Sequence, residues 1–223
     1  MRAFTCCVVL ALSALCSTAQ ASTFRFDDDP FAGTTVLDTP GRQVVGGELF
    51  LSFTDSDQFS FDPSAFGVNG PAVVFNGPAG LVPASGVNVV VLETFDDDAN
   101  ALTPFGAGNA ATLIANQITA PGAGFFVYFN QSLNLPRLVF STDLSDPTAD
   151  LRILARMLNL TGQPGRDALT GFQGVNFDVS AADVPEPASL ALFGLGCATF
   201  GWRRRPRYRS EATVTGTTSF RPE

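Results

Sequence analysis

A continuous apolar tract near the C-terminus is the feature that most constrains this chain. Residues 188–202 contain two polar side chains, Ser189 and Thr199, and no charged one. A helix formed by this tract would lack a hydrophilic face, which suits lipid better than the edge of a soluble core. At about 1.5 Å per residue it would measure roughly 22 Å, and bilayer thinning can absorb the difference from the roughly 30 Å hydrocarbon layer. The pattern therefore predicts a transmembrane helix over 188–202.

The residues on either side of the tract indicate how this helix is oriented. Val184, Pro185, Glu186 and Pro187 precede the tract, and Arg203, Arg204 and Arg205 follow it. Basic residues beside a membrane span stay on the cytoplasmic side, and an aromatic residue such as Trp202 lies at the interface. We therefore expect the chain before Val184 to lie outside the membrane.

The Pro-Glu-Pro motif, the apolar tract and the arginine cluster together resemble the PEP-CTERM sorting domain of Gram-negative bacteria that make exopolysaccharide. The resemblance covers residues 184–205. It implies that an exosortase, an integral-membrane cysteine transpeptidase, recognises the motif and delivers the protein to the cell surface or the exterior. Family members usually end shortly after the basic cluster, whereas residues 206–223 follow here, and we expect these to form a disordered cytoplasmic tail.

The N-terminus carries a second targeting pattern. Arg2 provides a positive charge, Val8–Leu15 is apolar, and Ala19–Ala21 fits an A-x-A cleavage site. These features predict a signal peptide over 1–21. We therefore expect export, anchoring in the inner membrane by the C-terminal helix before processing, and then a place at the cell surface or outside the cell.

The composition of the remaining exterior portion, 22–183, excludes several classes of function. It has the length of one domain, and all four cysteines of the chain lie outside it, so it can form no disulfide. The chain has no histidine, which excludes Ser-His-Asp and Cys-His catalysis and zinc sites with N/S ligands. Six arginines against 18 acids give a net charge of −12 over 22–183, which excludes nucleic acid as a partner.

Short runs of aromatic and β-branched residues separated by Gly, Pro, Asn and Asp are typical of β-strands. The predicted strands cover Val44–Phe53, Gln58–Phe61, Ala72–Phe75, Val87–Glu93, Phe125–Phe129, Leu138–Ser141 and Val175–Val179. Because no βα unit repeats, we predict an all-β fold of the β-sandwich or jelly-roll type. Most of the phenylalanines are expected in its core, with a sugar-stacking platform as the alternative.

Two stretches favour short helices. Asp150–Leu160 places Leu151, Leu154, Ala155 and Leu158 at helical spacing. The alternative is a strand with Leu151, Ile153, Ala155 and Met157 on one side. We favour the helix. The alanine-rich stretch Asn109–Ile118 is a second candidate helix, packed under the sheet.

Clustered aspartates are the only candidate ligand set in the exterior portion. They are Asp27, Asp28, Asp29, Asp55, Asp57, Asp96, Asp97 and Asp98, and two of the groups repeat the pattern Phe-Asp-Asp-Asp. Carboxylate oxygens in loops suit Ca²⁺, but neither group matches the EF-hand loop. The sequence leaves two interpretations open, a Ca²⁺ site and solvated acidic loops.

These observations together predict a non-enzymatic protein of the cell surface or extracellular matrix. We expect the exosortase and the membrane as partners, and a structural or interaction role with extracellular polysaccharide. The alternatives are a Ca²⁺- or carbohydrate-binding module and an exopolysaccharide hydrolase. A hydrolase would need two suitably spaced carboxyl groups, but Glu48 and Glu93 are the only glutamates in the exterior portion, which also has no tryptophan.

Overall fold

The computed structural model describes residues 21–100 and 102–180. The strands in this part are β1 (Thr23–Phe26), β2 (Val44–Val45), β3 (Leu49–Leu51), β4 (Gln58–Phe61), β5 (Val74–Gly77), β6 (Val89–Leu92), β7 (Gly124–Asn130), β8 (Leu135–Ser141), β9 (Leu151–Met157) and β10 (Phe177–Val179). The helices are α1 (Pro63–Phe66), α2 (Ala107–Ala115) and α3 (Gly162–Asp167). The prediction of a β-rich fold with few short helices is confirmed for this part. The predicted signal peptide, sorting segment, transmembrane helix and C-terminal tail lie outside the described residues, apart from Ala21.

The strands form two sheets that pack face to face. The larger sheet has the order β2–β9–β8–β7–β6–β5, and β3 pairs with β9 further along the same edge as β2. The smaller sheet has the order β1–β4–β10. Residues of both sheets contribute to one hydrophobic core.

The strand directions differ from a jelly roll, which is built from antiparallel strands. Both β1 and β10 run parallel to β4, and β5, β6 and β7 run parallel to one another. Only β8 is antiparallel to both of its neighbours. In the chain, helix α2 connects β6 to β7. Such a crossover connection is what allows two successive strands to pair in parallel.

Phenylalanine rings fill the space between the two sheets. Phe61 of β4 stacks on Phe125 of β7 with ring centroids 3.8 Å apart. Phe59, also on β4, stacks on Phe53 at 4.7 Å, and Phe53 stacks in turn on Phe172 at 4.9 Å. Each of these rings is at most 3% exposed. The prediction that the phenylalanines form the core is confirmed.

The opposite face of the larger sheet is covered by α2. Ala110 and Ile114 of this helix are fully buried against Val90, Phe126 and Ile153 of the sheet. The predicted helix Asn109–Ile118 is therefore confirmed, although it begins two residues earlier and ends three residues earlier than expected.

The predicted helix Asp150–Leu160 is wrong, because Leu151–Met157 is the strand β9. Leu151 and Ile153 belong to the core under α2, whereas Ala155 and Met157 belong to the core between the sheets. The pairing of β9 with β8 shifts register between these two pairs of residues. The irregularity adds one residue to β9, so the residues that face a given core shift by one position beyond it. The apolar residues then recur at three- and four-residue intervals, as they do in a helix.

Candidate functional site

Asp27, Asp28 and Asp29 follow β1 and line a cleft of about 230 Å³. Arg25 and Arg152 line the same cleft, and the Arg25 Nε donates to an Asp27 carboxylate oxygen at 2.7 Å. The Asp29 carboxylate accepts from the backbone N–H of Phe31 at 2.9 Å. The first aspartate group is thus partly neutralised by arginine and partly engaged in shaping its own loop.

Asp55 and Asp57 lie in the loop before β4, and only Asp57 is buried. The two oxygens of the Asp57 carboxylate accept from the backbone N–H groups of Ser22 and Thr54, each at 2.7 Å. Burial alone would raise the pKa of Asp57, but these bonds outweigh it and lower the pKa below its usual range. The Asp57 carboxylate therefore organises the loop between β3 and β4 and ties it to Ser22, at the start of β1.

Asp96, Asp97 and Asp98 form the only group of three or more potential metal ligands in the described part of the chain. One carboxylate oxygen from each lies within 4.8 Å of the others. Asp96 accepts from the backbone N–H groups of Asp98 at 3.1 Å and Ala99 at 2.9 Å. Asp97 accepts from the Asn109 side chain at the start of α2 at 2.8 Å.

The two Phe-Asp-Asp-Asp groups lie at opposite ends of the fold. Asp27–Asp29 share their cleft with Arg152 and Ile153, at the amino end of β9. Asp96–Asp98 come after the carboxyl end of β6. β9 runs in the same direction as β6, so the amino end of β9 and the carboxyl end of β6 lie at opposite ends of the strands of one sheet. The two groups cannot contribute to one site, so the Ca²⁺ hypothesis now applies to each group separately.

The structure also contains a buried charge cluster that was not predicted from the sequence. Glu48 lies in the interruption between β2 and β3, and its side chain is 6% exposed. One carboxylate oxygen accepts from Arg137 Nη2 at 2.6 Å and from Arg156 Nε. Arg137 is the direct cross-strand partner of both Arg156 and Tyr128, so these three side chains share the face of the sheet that α2 covers.

Electrostatics keep Glu48 ionised. Burial by itself would raise the pKa of Glu48, but hydrogen bonds from its own backbone N–H, Arg156, Gly47 and Arg137 outweigh this and lower it from 4.5 to about 2. Two arginines around one carboxylate leave local positive charge in a strongly acidic domain. A carboxylate held in this way is a structural anion, since it cannot give or take a proton near neutral pH. A sequence signal did exist, because Glu48 is the only charged residue in the run Val44–Phe53.

A second cleft, of about 300 Å³, lies among the loops that precede β5, β6 and β7. Its walls carry no charged side chain and are rich in glycine, proline and asparagine, including Asn69, Pro71, Asn88 and Pro121. The Asn88 side chain is already occupied, because it accepts from Val73 and donates to Pro71. The cleft is neutral, in contrast to the acidic loops elsewhere.

The motif that this chain shares with known proteins lies outside the described residues. No curated protein and no solved structure matches the chain. Within residues 21–100 and 102–180, no helix combines the length and apolarity needed to cross a bilayer. Residues 183–205 match the family model of the PEP-CTERM protein-sorting motif. The match includes every predicted sorting residue, from Val184 to Arg205, so the resemblance is confirmed: the chain carries a PEP-CTERM sorting motif and is consistent with a PEP-CTERM protein, the kind of extracellular protein that an exosortase sorts.

Proposed function

We propose that this chain is a cell-surface or extracellular-matrix protein that is held in the inner membrane by residues 188–202 until an exosortase processes it. Its β-rich exterior then has a structural or interaction role with exopolysaccharide. The match of residues 183–205 to the sorting motif is the single observation that carries the proposal. The apolar tract and the arginine cluster fall within that match, as a membrane-retained sorting signal requires.

The buried carboxylates support a non-enzymatic role. Glu48 and Asp57 are each held by several donors, and the pKa of each is lowered. A general acid needs the opposite shift, toward the working pH, as in glycosidases. Hydrolysis of the host polymer is therefore not expected, and an assay for newly released reducing ends checks this.

The neutral cleft supports contact with a carbohydrate. Sugars bind through hydroxyl groups that exchange hydrogen bonds with amides and backbone groups. The cleft presents the exposed Asn69 side chain and backbone groups without a net charge. Pull-down of the protein with the host's own exopolysaccharide tests the interaction.

Fractionation of cells tests the sorting itself. In a host with an exosortase, the unchanged chain is expected at the surface or in the medium in a processed form. A variant with Glu186→Ala and Pro187→Ala is expected to stay in the membrane fraction at full length. A matched control, Glu211→Ala with Pro206→Ala, lies outside the matched residues and should behave like the unchanged chain. Equal processing of the first variant, or processing in a host without exosortase, would contradict the proposal.

Calcium binding is a second candidate, favoured by the convergence of the Asp96–Asp98 oxygens within 4.8 Å. A ligand present at about 100 times its Kd stabilises the folded state by about 3 kcal/mol, which raises Tm measurably. Changing Asp96, Asp97 and Asp98 to Asn should abolish the Ca²⁺ effect on Tm. Changing Asp27, Asp28 and Asp29 to Asn is the matched control, because among the described residues only the oxygens of Asp96–Asp98 converge. If Ca²⁺ and EDTA give the same Tm for the unchanged chain, the metal hypothesis fails.

A further inference from the structure

The chain contains the tripeptide Asn-Gly-Pro twice, at Asn69–Pro71 and at Asn76–Pro78. The two copies have the same residues on the reacting side, so their intrinsic chemistry is matched. Their structural environments differ, because the first copy lies in an exposed loop and the second begins inside β5.

Asparagine followed by glycine can rearrange without an enzyme. The backbone nitrogen of the glycine loses its proton and attacks the asparagine Cγ, the Cγ–Nδ2 bond breaks, and ammonia leaves, which closes a succinimide ring. Water then opens either C–N bond of the ring and gives aspartate or isoaspartate. Glycine favours the attack because it has no Cβ to obstruct the approach of its nitrogen.

Asn69 is free to react in this way. Asn69 and Gly70 are both exposed, and neither the Asn69 side chain nor the Gly70 N–H forms a hydrogen bond with another described residue. Gly70 has a φ of +77°, and no other atom lies within 4 Å of the place that a Cβ would occupy. The loop can therefore move the Gly70 nitrogen toward Cγ without breaking a native contact.

Asn76 is held in place. Its Nδ2, the leaving group of the reaction, donates to the carbonyl oxygens of Leu169 and Phe172, each at 2.8 Å. Gly77 is buried and paired with Leu92 of β6, and its carbonyl accepts from the backbone N–H of Glu93. Release of two hydrogen bonds of ordinary net strength slows the reaction at Asn76 about 30-fold relative to Asn69.

We propose that Asn69 is a site of spontaneous modification, which converts to aspartate or isoaspartate while Asn76 in the identical tripeptide is protected. Asn69 lines the neutral cleft of about 300 Å³. The reaction therefore introduces a carboxylate into a cleft whose described lining has no charged side chain, and so changes which ligands the cleft accepts. This modification is independent of the sorting function proposed above.

Peptide mapping by mass spectrometry of the full-length protein, aged in mildly alkaline buffer, tests the proposal. The expected result is deamidated and isoaspartyl product at residue 69 and about 30-fold less at residue 76 in the folded protein. In denaturant the protection is lost, and the two sites are expected to react at similar rates. In the variant Asn69→Gln, product at residue 69 should disappear, because the longer side chain cannot close the five-membered ring.

Two results would overturn the proposal. One is equal or faster reaction at residue 76 in the folded chain, which would show that the two hydrogen bonds do not protect it. The other is an Asn69 that reacts in denaturant but stays intact when folded, which would show that the loop holds it away from the Gly70 nitrogen.

Discussion

The two faces of the larger sheet are stabilised by different means. The face toward β1, β4 and β10 is packed with phenylalanine rings, such as Phe61 against Phe125 at 3.8 Å. The face under α2 combines aliphatic side chains and the buried rings of Phe105, Phe126 and Tyr128 with a charge cluster at its edge, formed by Glu48, Arg137 and Arg156. Packed phenylalanine rings therefore hold the two sheets together, whereas the covered outer face depends partly on the ionisation of Glu48 and should lose stability in acid.

The largest expected effect is on the phenylalanine face. Phe61→Ala removes a ring that is 1% exposed and leaves a cavity between the sheets, which costs about 4 kcal/mol of unfolding free energy. Urea denaturation measures this change. Phe50→Ala is the matched control, because this ring is 64% exposed and its loss should cost far less. Similar costs for the two variants would mean that the rings do not carry the packing.

The next effect concerns the charge cluster. Glu48→Gln keeps the size of the side chain but leaves Arg137 and Arg156 without an anion, and loss of one partner of a buried ion pair costs about 3 kcal/mol. Urea denaturation at neutral pH measures it. The control Asp27→Asn breaks the pair with Arg25, whose side chains are 46% and 42% exposed, and should cost about 0.5 kcal/mol. Equal costs would show that burial does not strengthen the cluster.

Acid should weaken the Glu48 cluster. The pKa of Glu48 is 4.5 in its ordinary state and about 2 in the fold, so ionised Glu48 contributes stability that is fully present above 4.5. This contribution, about 3 kcal/mol, is lost as the pH falls from 4.5 toward 2. Other carboxylates with lowered pKa values, such as Asp57, lose stability in the same direction. The difference between the unchanged chain and Glu48→Gln isolates the Glu48 part, and it should shrink in acid. A difference that stays constant with pH would contradict it.

The smallest effect is expected under α2. Ile114→Val removes one methylene from a fully buried position and should cost about 1 kcal/mol. Thermal unfolding of the two proteins at neutral pH measures it. A cost as large as that of Phe61→Ala would show that the helix, and not the smaller sheet, is the main cover of the larger sheet.

The elements predicted correctly are those whose sequence pattern lies within one short segment of the chain. The strand Gln58–Phe61 was predicted with its observed bounds, and the alanine-rich helix was found within three residues of its ends. The sorting motif was equally accessible, because its residues are contiguous. The strand predicted over Leu138–Ser141 begins three residues earlier, at Leu135, because Pro136 lies inside β8 and pairs with Phe129.

Features that depend on distant residues could not be predicted. β1 was missed because its four residues gain their place only by pairing with β4. The Glu48 cluster was missed because its arginines come 89 and 108 residues later in the chain. The sequence also could not show how far apart the two Phe-Asp-Asp-Asp groups lie, because that distance depends on the strand order.

The order of strands in the smaller sheet bears on the timing of folding. β4 pairs on one side with the first strand described, Thr23–Phe26, and on the other with the last, Phe177–Val179. The pairing with the last strand joins residues that are far apart in the sequence, and such contacts form slowly. For a polypeptide that crosses a membrane amino end first, this sheet cannot close until nearly the whole exterior portion has emerged. We therefore expect β10, which ends four residues before the sorting motif at 183–205, to complete this sheet late in transport.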